Sequence, residues 1–290
     1  MKAKIGPLLI DNNPPLMVKP HQGMIDYHLH TPFCRHARGT MEEYVQRALE
    51  KGIEEICFTP HIPLPDFPRG AANLRMDPEE FDSYLEELES LRSRYRSTTI
   101  LCGVEADYYR GYEGYLESFL ARYPFDLVLL SIHFIRDWPG NNWLFGFDFP
   151  SKSLSQIYGE YFRELKRGIA TGLFDCLAHL DLIKQPGHPV MESNRNDIEE
   201  ILDLCSRHGM SIEVNTSGLR KPIGELYPCR RIISLAVGRG LALVTGSDAH
   251  DPTAVGYAFS ELHCLLEELR GSKIARYRGR ILQKETAVQP

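Results

Sequence analysis

No stretch of this 290-residue sequence approaches the roughly 18 consecutive apolar residues needed to cross a bilayer. Met1 to Asn13 also lacks the apolar core and small-residue cleavage site of a signal peptide. No C-x-x-C pair occurs among the seven cysteines, at positions 34, 57, 102, 176, 205, 229 and 264. Such an odd, widely spaced set suits free thiols in a reducing compartment, so a cytoplasmic protein is expected. A basic excess is missing too: 33 Lys and Arg face 39 Asp and Glu, a net charge of -6 with a pI near 6.0. That balance argues against general affinity for nucleic acid or an anionic membrane. Low-complexity tracts and sequence repeats are absent as well. What remains, 43% hydrophobic and 25% charged residues with 23 Gly and 19 Pro, is a globular chain. It can bury its core without disulfide or metal staples, so a metal it binds is expected to be functional.

Residues 1–23 carry Pro7, Pro14, Pro15 and Pro20 with Asn12 and Asn13, a composition that resists helix and central strand alike, and read as an irregular arm. From Met24 to the end the chain reads as one domain. Short apolar or β-branched runs alternate there with segments of helical period, the pattern of βα units around a parallel sheet. Seven strands are expected: Met24 to His30, Glu55 to His61, Ile100 to Asp107, Leu127 to Phe134, Cys176 to Asp181, Ser211 to Ser217 and Leu241 to His250. Helices are expected over Thr40 to Lys51, after Asp77-Pro78, and over Gly111 to Ala121, Ser155 to Ala170, Asn196 to His208, Tyr227 to Gly238 and Ser260 to Leu269. Two long Pro-, Gly- and aromatic-rich stretches, Ile62 to Met76 and Ile135 to Ser153, read as a rim over a pocket. Seven such units fit either an open doubly wound sheet or a closed barrel one unit short of eight.

The polar residues favour the barrel. His28 and His30 close the first strand, His61 the second, Glu105 the third, His133 the fourth, His179 the fifth, and Asp248 with His250 the seventh. In a parallel barrel all strand C-termini open on one face, so these groups would converge into one basin. Residues i and i+2 of a strand point to the same side, which lets His28-x-His30 and Asp248-x-His250 each grip one cation. Imidazole and carboxylate suit zinc, manganese or iron, and Glu105 could bridge two ions. Taken singly, each of these residues reads better as a satisfied buried group; jointly they do not, because a structural histidine has no reason to prefer strand ends. His36, six residues after His30, joins them by association. His21, His188, His208 and His263 read as surface or packing residues.

The segments Asp26-Tyr27-His28-Leu29-His30-Thr31, Thr59-Pro60-His61, Gly103-Val104-Glu105, Ser131-Ile132-His133, Ala178-His179-Leu180-Asp181 and Gly246-Ser247-Asp248-Ala249-His250 resemble the motifs of the PHP (polymerase and histidinol phosphatase) superfamily. Thr31-Pro32-Phe33-Cys34-Arg35-His36-Ala37 and Glu213-Val214-Asn215-Thr216-Ser217-Gly218-Leu219-Arg220 look more closely like its monofunctional histidinol-phosphate phosphatases. The resemblance covers about residues 24–282 and implies a distorted (β/α)7 barrel, an α/β fold, with a trinuclear metal site. It implies that His28, His30, Glu105 and Asp248 hold the first ion, Glu105, His133 and His179 the second, and His36, His61 and His250 the third. The catalytic core would then be Glu105, Asp248 and His250. The arm before Met24 departs from the family, whose His-x-His strand usually lies close to the N-terminus.

Three divalent ions would draw a phosphate dianion into the basin despite the acidic average. A water bridging two of them would be acidified enough to attack phosphorus in line, with no phosphoenzyme. Arg220 is the candidate phosphate ligand and Lys184 a weaker one; a solvated loop arginine is an equally open reading of the first. The resemblance implies L-histidinol phosphate as substrate and histidine biosynthesis as the setting. Asp66, Phe67, Trp138, Trp143 and Asp148 in the long loops are candidates for its amine and imidazole. A PHP phosphoesterase acting on nucleotides or oligonucleotides, a metal-dependent amidohydrolase and a non-catalytic metal-binding module stay open as alternatives. The amidohydrolase is disfavoured, because His133 stands where its binuclear form carries a carboxylated lysine.

Overall fold

The structure, a computed structural model, describes residues 23–65, 74–138, 144, 152–190 and 192–288. Most of the N-terminal arm and the loop candidates Asp66, Phe67, Trp143 and Asp148 lie outside these residues. All seven expected strands form, as β1 (Ile25–Leu29), β2 (Glu55–Phe58), β3 (Thr99–Asp107), β4 (Leu127–Ser131), β5 (Cys176–Leu177), β6 (Ser211–Asn215) and β7 (Leu243–Gly246). Each is parallel to the next, in sequence order. The β4 run Leu-Val-Leu-Leu-Ser is buried throughout, as a parallel strand covered on both faces requires.

Helices follow the strands: α1 (Met41–Glu50), α2 (Phe81–Arg94), α3 (Glu113–Arg122), α4 (Leu154–Ala170), α5 (Arg195–Arg207), α6 (Arg230–Gly238) and α7 (Phe259–Glu268). The expected Thr40/Glu43 capping box starts α1, with the Glu43 backbone N–H on Thr40 Oγ1 at 3.3 Å and the Thr40 N–H on Glu43 Oε2 at 2.6 Å. The α6 helix begins three residues later than expected, at Arg230. The Tyr227 backbone is engaged instead with Asn215 at the end of β6, its N–H donating at 2.9 Å.

Two strands were not expected, an antiparallel hairpin of β8 (Lys273–Arg278) and β9 (Ile281–Ala287). It lies across the end of the barrel where the strands begin. Arg276 pairs with Glu54 at 2.9 Å and also reaches Glu55; Arg278 meets Glu55 at 2.9 Å, Arg280 meets Asp175 at 2.9 Å, and Tyr277 Oη lies 2.6 Å from Ser211 Oγ. The hairpin also distorts the barrel. The start of β7 pairs with β8 at Leu243–Ile274, whereas the chain just past its end turns back to β1, His30 N–H donating to Ala249 O at 3.0 Å. The hydrogen-bonded sheet therefore runs from β1 to β9 without closing as a continuous ring. Among the described residues no helix is long and apolar enough to cross a membrane.

Candidate metal centre

Several expected strands end earlier than their sequence suggested. The residues His30, His61, His133, His179, Asp248 and His250 stand just beyond the strand ends, where the backbone leaves the ladder and can turn side chains inward. His179 and Asp248 do so with φ of 23° and 51°, left-handed values that non-glycine residues rarely adopt. The nine expected ligands meet in one basin. Glu105 is its centre: Oε1 lies 2.8 Å from His179 Nε2 and 3.6 Å from His133 Nε2. Its other oxygen, Oε2, lies 3.4 Å from both His28 Nε2 and His30 Nε2 and 3.0 Å from His61 Nδ1. Asp248 Oδ1 stands 3.2 Å from His30 Nε2 and 3.8 Å from His28 Nε2. His30, His36, His61 and His250 form a further group whose ring nitrogens lie within 4.8 Å of one another.

The tautomers follow from the partners behind the rings. His28 Nδ1 faces Glu213 Oε1 at 2.7 Å, His133 Nδ1 faces Asp107 Oδ1 at 2.8 Å, His36 Nδ1 faces Cys34 O at 2.6 Å and His250 Nδ1 faces Asp248 O at 3.1 Å. A carbonyl or carboxylate oxygen only accepts, so each Nδ1 carries the hydrogen and each neutral ring turns an Nε2 lone pair to the centre. The His36 and His250 Nε2 atoms then face each other at 2.9 Å, lone pair to lone pair. His28 Nε2, His61 Nδ1 and Glu105 Oε2 are buried without a hydrogen-bond partner. Orphaned donor atoms converging in this way fit a set of divalent cations, and a hydrogen-bonded core does not explain them.

Charge is divided unevenly among the rings. Burial works against a proton on His28, but Glu213, Glu105 and Asp248 outweigh it and hold its pKa well above the usual histidine value. Asp107 and Glu105 likewise overcome burial at His133 and raise it. Burial prevails at His61, which falls well below the usual range, and at His250, which burial and the neighbouring His30 push down to about 3. Burial opposes ionisation of Glu105, yet His61, His28 and His133 hold its carboxyl well below the ordinary range; His28 and His30 do the same for Asp248.

A pocket of about 700 Å³ opens over this basin. Arg220, the candidate phosphate ligand, lines this pocket, donating from Nη2 to Ser247 O at 2.8 Å and Asp248 O at 3.2 Å while its guanidinium stacks on Tyr257 at 4.8 Å. Lys184 does not stand there. It is fully buried, and Nζ donates to Asp181 at 2.9 Å, Glu225 at 3.0 Å and Leu226 O at 2.7 Å, so all three protons are engaged away from the pocket. Trp138 is also buried, its indole N–H on Glu160 at 2.7 Å, and is not part of the lining. His188, His208 and His263 lie outside the site. Sequence reasoning missed Arg75, buried in the pocket wall with Nη2 on Asp107 at 3.0 Å, and the two carboxylates behind the rings, Asp107 and Glu213. Asp107 was within reach at i+2 from Glu105, and Glu213 is the one charged residue of the buried strand β6.

Residues 26–217 match the PHP domain family. A Deinococcus radiodurans protein named "Probable histidinol-phosphatase" is 34% identical, over 90% of this chain and 99% of its own length. The histidinol-phosphatase of Bacillus subtilis is 32% identical, over 81% of this chain and 96% of its own. In fold the chain is similar to the histidinol phosphate phosphatase of Lactococcus lactis, solved with zinc, L-histidinol and phosphate, with a TM-score of 0.78 at 21% identity over 90% of this chain and 99% of that one. Motif order, barrel and sequence similarity over nearly the whole length coincide, and the chain belongs to the PHP family, among its histidinol-phosphatases.

Proposed function

We propose that this protein is a phosphomonoester hydrolase acting on L-histidinol phosphate, giving L-histidinol and phosphate, at a centre of three divalent ions of zinc, manganese or iron. The observation that carries the reading is the set of imidazole lone pairs turned inward by their own Nδ1 hydrogen bonds around one bridging carboxylate. Two groups support the expected allocation, His28, His30 and Asp248 for the first ion and His36, His61 and His250 together with His30 for the third. Around Glu105 the groups are His28 with Glu105 and His179, and His61 with Glu105 and His133, so the expected ligands of the second ion, His133 and His179, each share Glu105 with a neighbouring histidine. When bound, the ions supply Lewis acidity that polarises phosphoryl oxygens and brings water into an attacking state near neutral pH.

The chain's residues do the rest. Glu105, Asp248 and His250 form the catalytic core by holding those ions, and Glu105 lowers their mutual repulsion. Arg220, fixed by two carbonyls and the Tyr257 ring, presents its remaining N–H groups to a phosphate oxygen. Leu74 and Phe134 give the pocket an apolar wall for the body of the leaving alcohol. Around the mouth the cations Arg38, Arg75, Arg220 and Lys221 face the carboxylates Glu105, Asp248 and Asp251. Side chains alone therefore leave the basin near neutral, and attraction for a phosphate dianion depends on the ions. Seven unbridged cysteines support a reducing, cytoplasmic setting. Steady-state assay of the metal-loaded protein on L-histidinol phosphate and on nucleoside monophosphates tests the reading. Selective turnover of the first is expected; preference for nucleotides, or metal binding without turnover, refutes it.

A further inference from the structure

Six of the seven barrel strands deliver proposed metal ligands, and β6 delivers none. Its carboxylate Glu213 is nevertheless fully buried, and it touches the centre from behind at two places. Oε1 accepts the His28 Nδ1–H at 2.7 Å and Oε2 accepts the backbone N–H of His179 at 2.8 Å. Asn215, two residues further along the strand, donates to Oε1 at 3.1 Å, while its own Oδ1 accepts the Ser217 N–H at 2.8 Å. Ser217 Oγ in turn donates to Asp248 Oδ2 at 3.0 Å. Strand β6 and the turn after it thereby meet His28 through its ring, His179 through its strained backbone and Asp248 through its second oxygen.

We propose that Glu213 is the positioning residue of the metal centre: it fixes the tautomer of His28 and the left-handed backbone of His179, so that both rings face Glu105 before a cation arrives. The proposal rests on the metal-centre reading above. Three features of the surroundings require a carboxylate here. Three N–H donors converge on it, so an acceptor-only group is needed; a glutamine would aim its NH2 at one of those donors whichever way the amide turned. A carboxylate behind a ligating imidazole also enriches the opposite nitrogen in electron density and makes it a better ligand. Space has been cleared for it as well. A Cβ on Gly246 of β7 would fall 2.2 Å from Glu213 Oε1 and 2.7 Å from His28 Cβ, so only glycine admits the pair.

The test is metal affinity, measured by titrating chelator-stripped full-length protein with Zn²⁺ or Mn²⁺ against a competing chelator. Glu213→Gln should bind the ions about 10- to 100-fold more weakly, while KM for a phosphomonoester at saturating metal stays within about threefold of wild type. Affinity within threefold of wild type, with or without a fall in the melting temperature of the stripped protein, would overturn the proposal and leave Glu213 a packing residue. If Glu213→Gln yields no folded protein, Asn215→Ser decides. It keeps the carboxylate but removes one of its donors; affinity weakened by threefold or more upholds the proposal, and unchanged affinity overturns it. Because the metal titration contains no substrate, a protein that loses metal through Glu213→Gln yet hydrolyses no histidinol phosphate would sustain this assignment and refute the substrate reading.

Discussion

Replacing Glu105 by Gln removes one unit of charge and almost no volume, so its consequence can be worked from position alone. The two carboxylate oxygens lie 2.8 to 3.6 Å from ring nitrogens of five histidines. A cation held among those nitrogens is within about 4 Å of the carboxylate, where opposite unit charges attract by about 4 kcal/mol at an effective dielectric constant of about 20. A divalent ion doubles the figure, and relaxation of the site offsets part of it. Taking the single-charge value as the net loss, and about 1.4 kcal/mol per tenfold change, the variant should hold the bridged ions about a thousandfold more weakly. Elemental analysis after exchange into buffer of fixed chelator concentration reads this directly, with the rate of phosphomonoester hydrolysis measured on the same sample. Metal content and rate should fall together while the far-ultraviolet circular dichroism spectrum is unchanged. A fully loaded variant turning over within about threefold of wild type would show that Glu105 bridges nothing.

Four further outcomes are expected. Because nearby carboxylates raise the pKa of His28 and His133, and cations compete with protons for their Nε2 atoms, metal binding should release protons and affinity should rise with pH. Calorimetry in two buffers of different ionisation enthalpy counts the protons, and a count of zero refutes the assignment. Arg220→Ala should cost about 1.5–3 kcal/mol in transition-state binding, about 10- to 100-fold in kcat/KM measured at saturating metal; an unchanged kcat/KM would return Arg220 to the solvated surface. Lys184→Met leaves Asp181 buried and unpaired, so urea unfolding should show a loss of about 3–5 kcal/mol without change in the kcat/KM of the folded enzyme. Inorganic phosphate should bind the metal-loaded protein at least about tenfold more tightly than the stripped one, because the side chains leave the basin near neutral; equal affinities would locate the anion site on the arginines alone.

The proposed ligands were legible because their information is local. His28-x-His30 and Asp248-x-His250 declare a shared direction in two residues, and a strand end declares which face they reach. Lys184 misled for the opposite reason. Its local partner is Asp181, three residues earlier, but its burial is completed by Glu225 and Leu226, more than forty residues downstream, and an i,i+3 acid–base pair by itself does not distinguish a lysine at the pocket from one buried beneath it. The β8–β9 hairpin was illegible in the same way. Lys273-Ile-Ala-Arg-Tyr-Arg looks like a polar tail until Arg276 and Arg278 find Glu55, more than 220 residues earlier in the chain. Strand ends were overestimated where ligands must turn inward: Ala178 to Asp181 keeps the apolar–polar alternation of a strand, yet the left-handed φ of His179 follows the end of β5 at Leu177. Glu213 was visible as the one charge between Ile212 and Val214, but its partners, His28 and the His179 backbone, come from elsewhere in the barrel.

The two ends of the barrel divide stability from function. At the strand starts, the arginines of the hairpin satisfy Glu54, Glu55 and Asp175, and the opposite charges there meet without strain. At the strand ends, two proposed ligands sit in left-handed backbone, each costing about 1–3 kcal/mol. Two lone pairs face each other there, and a carboxylate is held among five imidazoles. Such an arrangement persists only if its surroundings over-determine it. Glu213 of β6 does so at His179 and Ser217, just past β6, at Asp248, and the two carbonyls that receive Arg220 tie the Asp248 backbone from the other side. A site built in this way is costly to hold empty and becomes favourable when cations arrive, so part of the binding free energy of the ions appears as folding stability of the mouth.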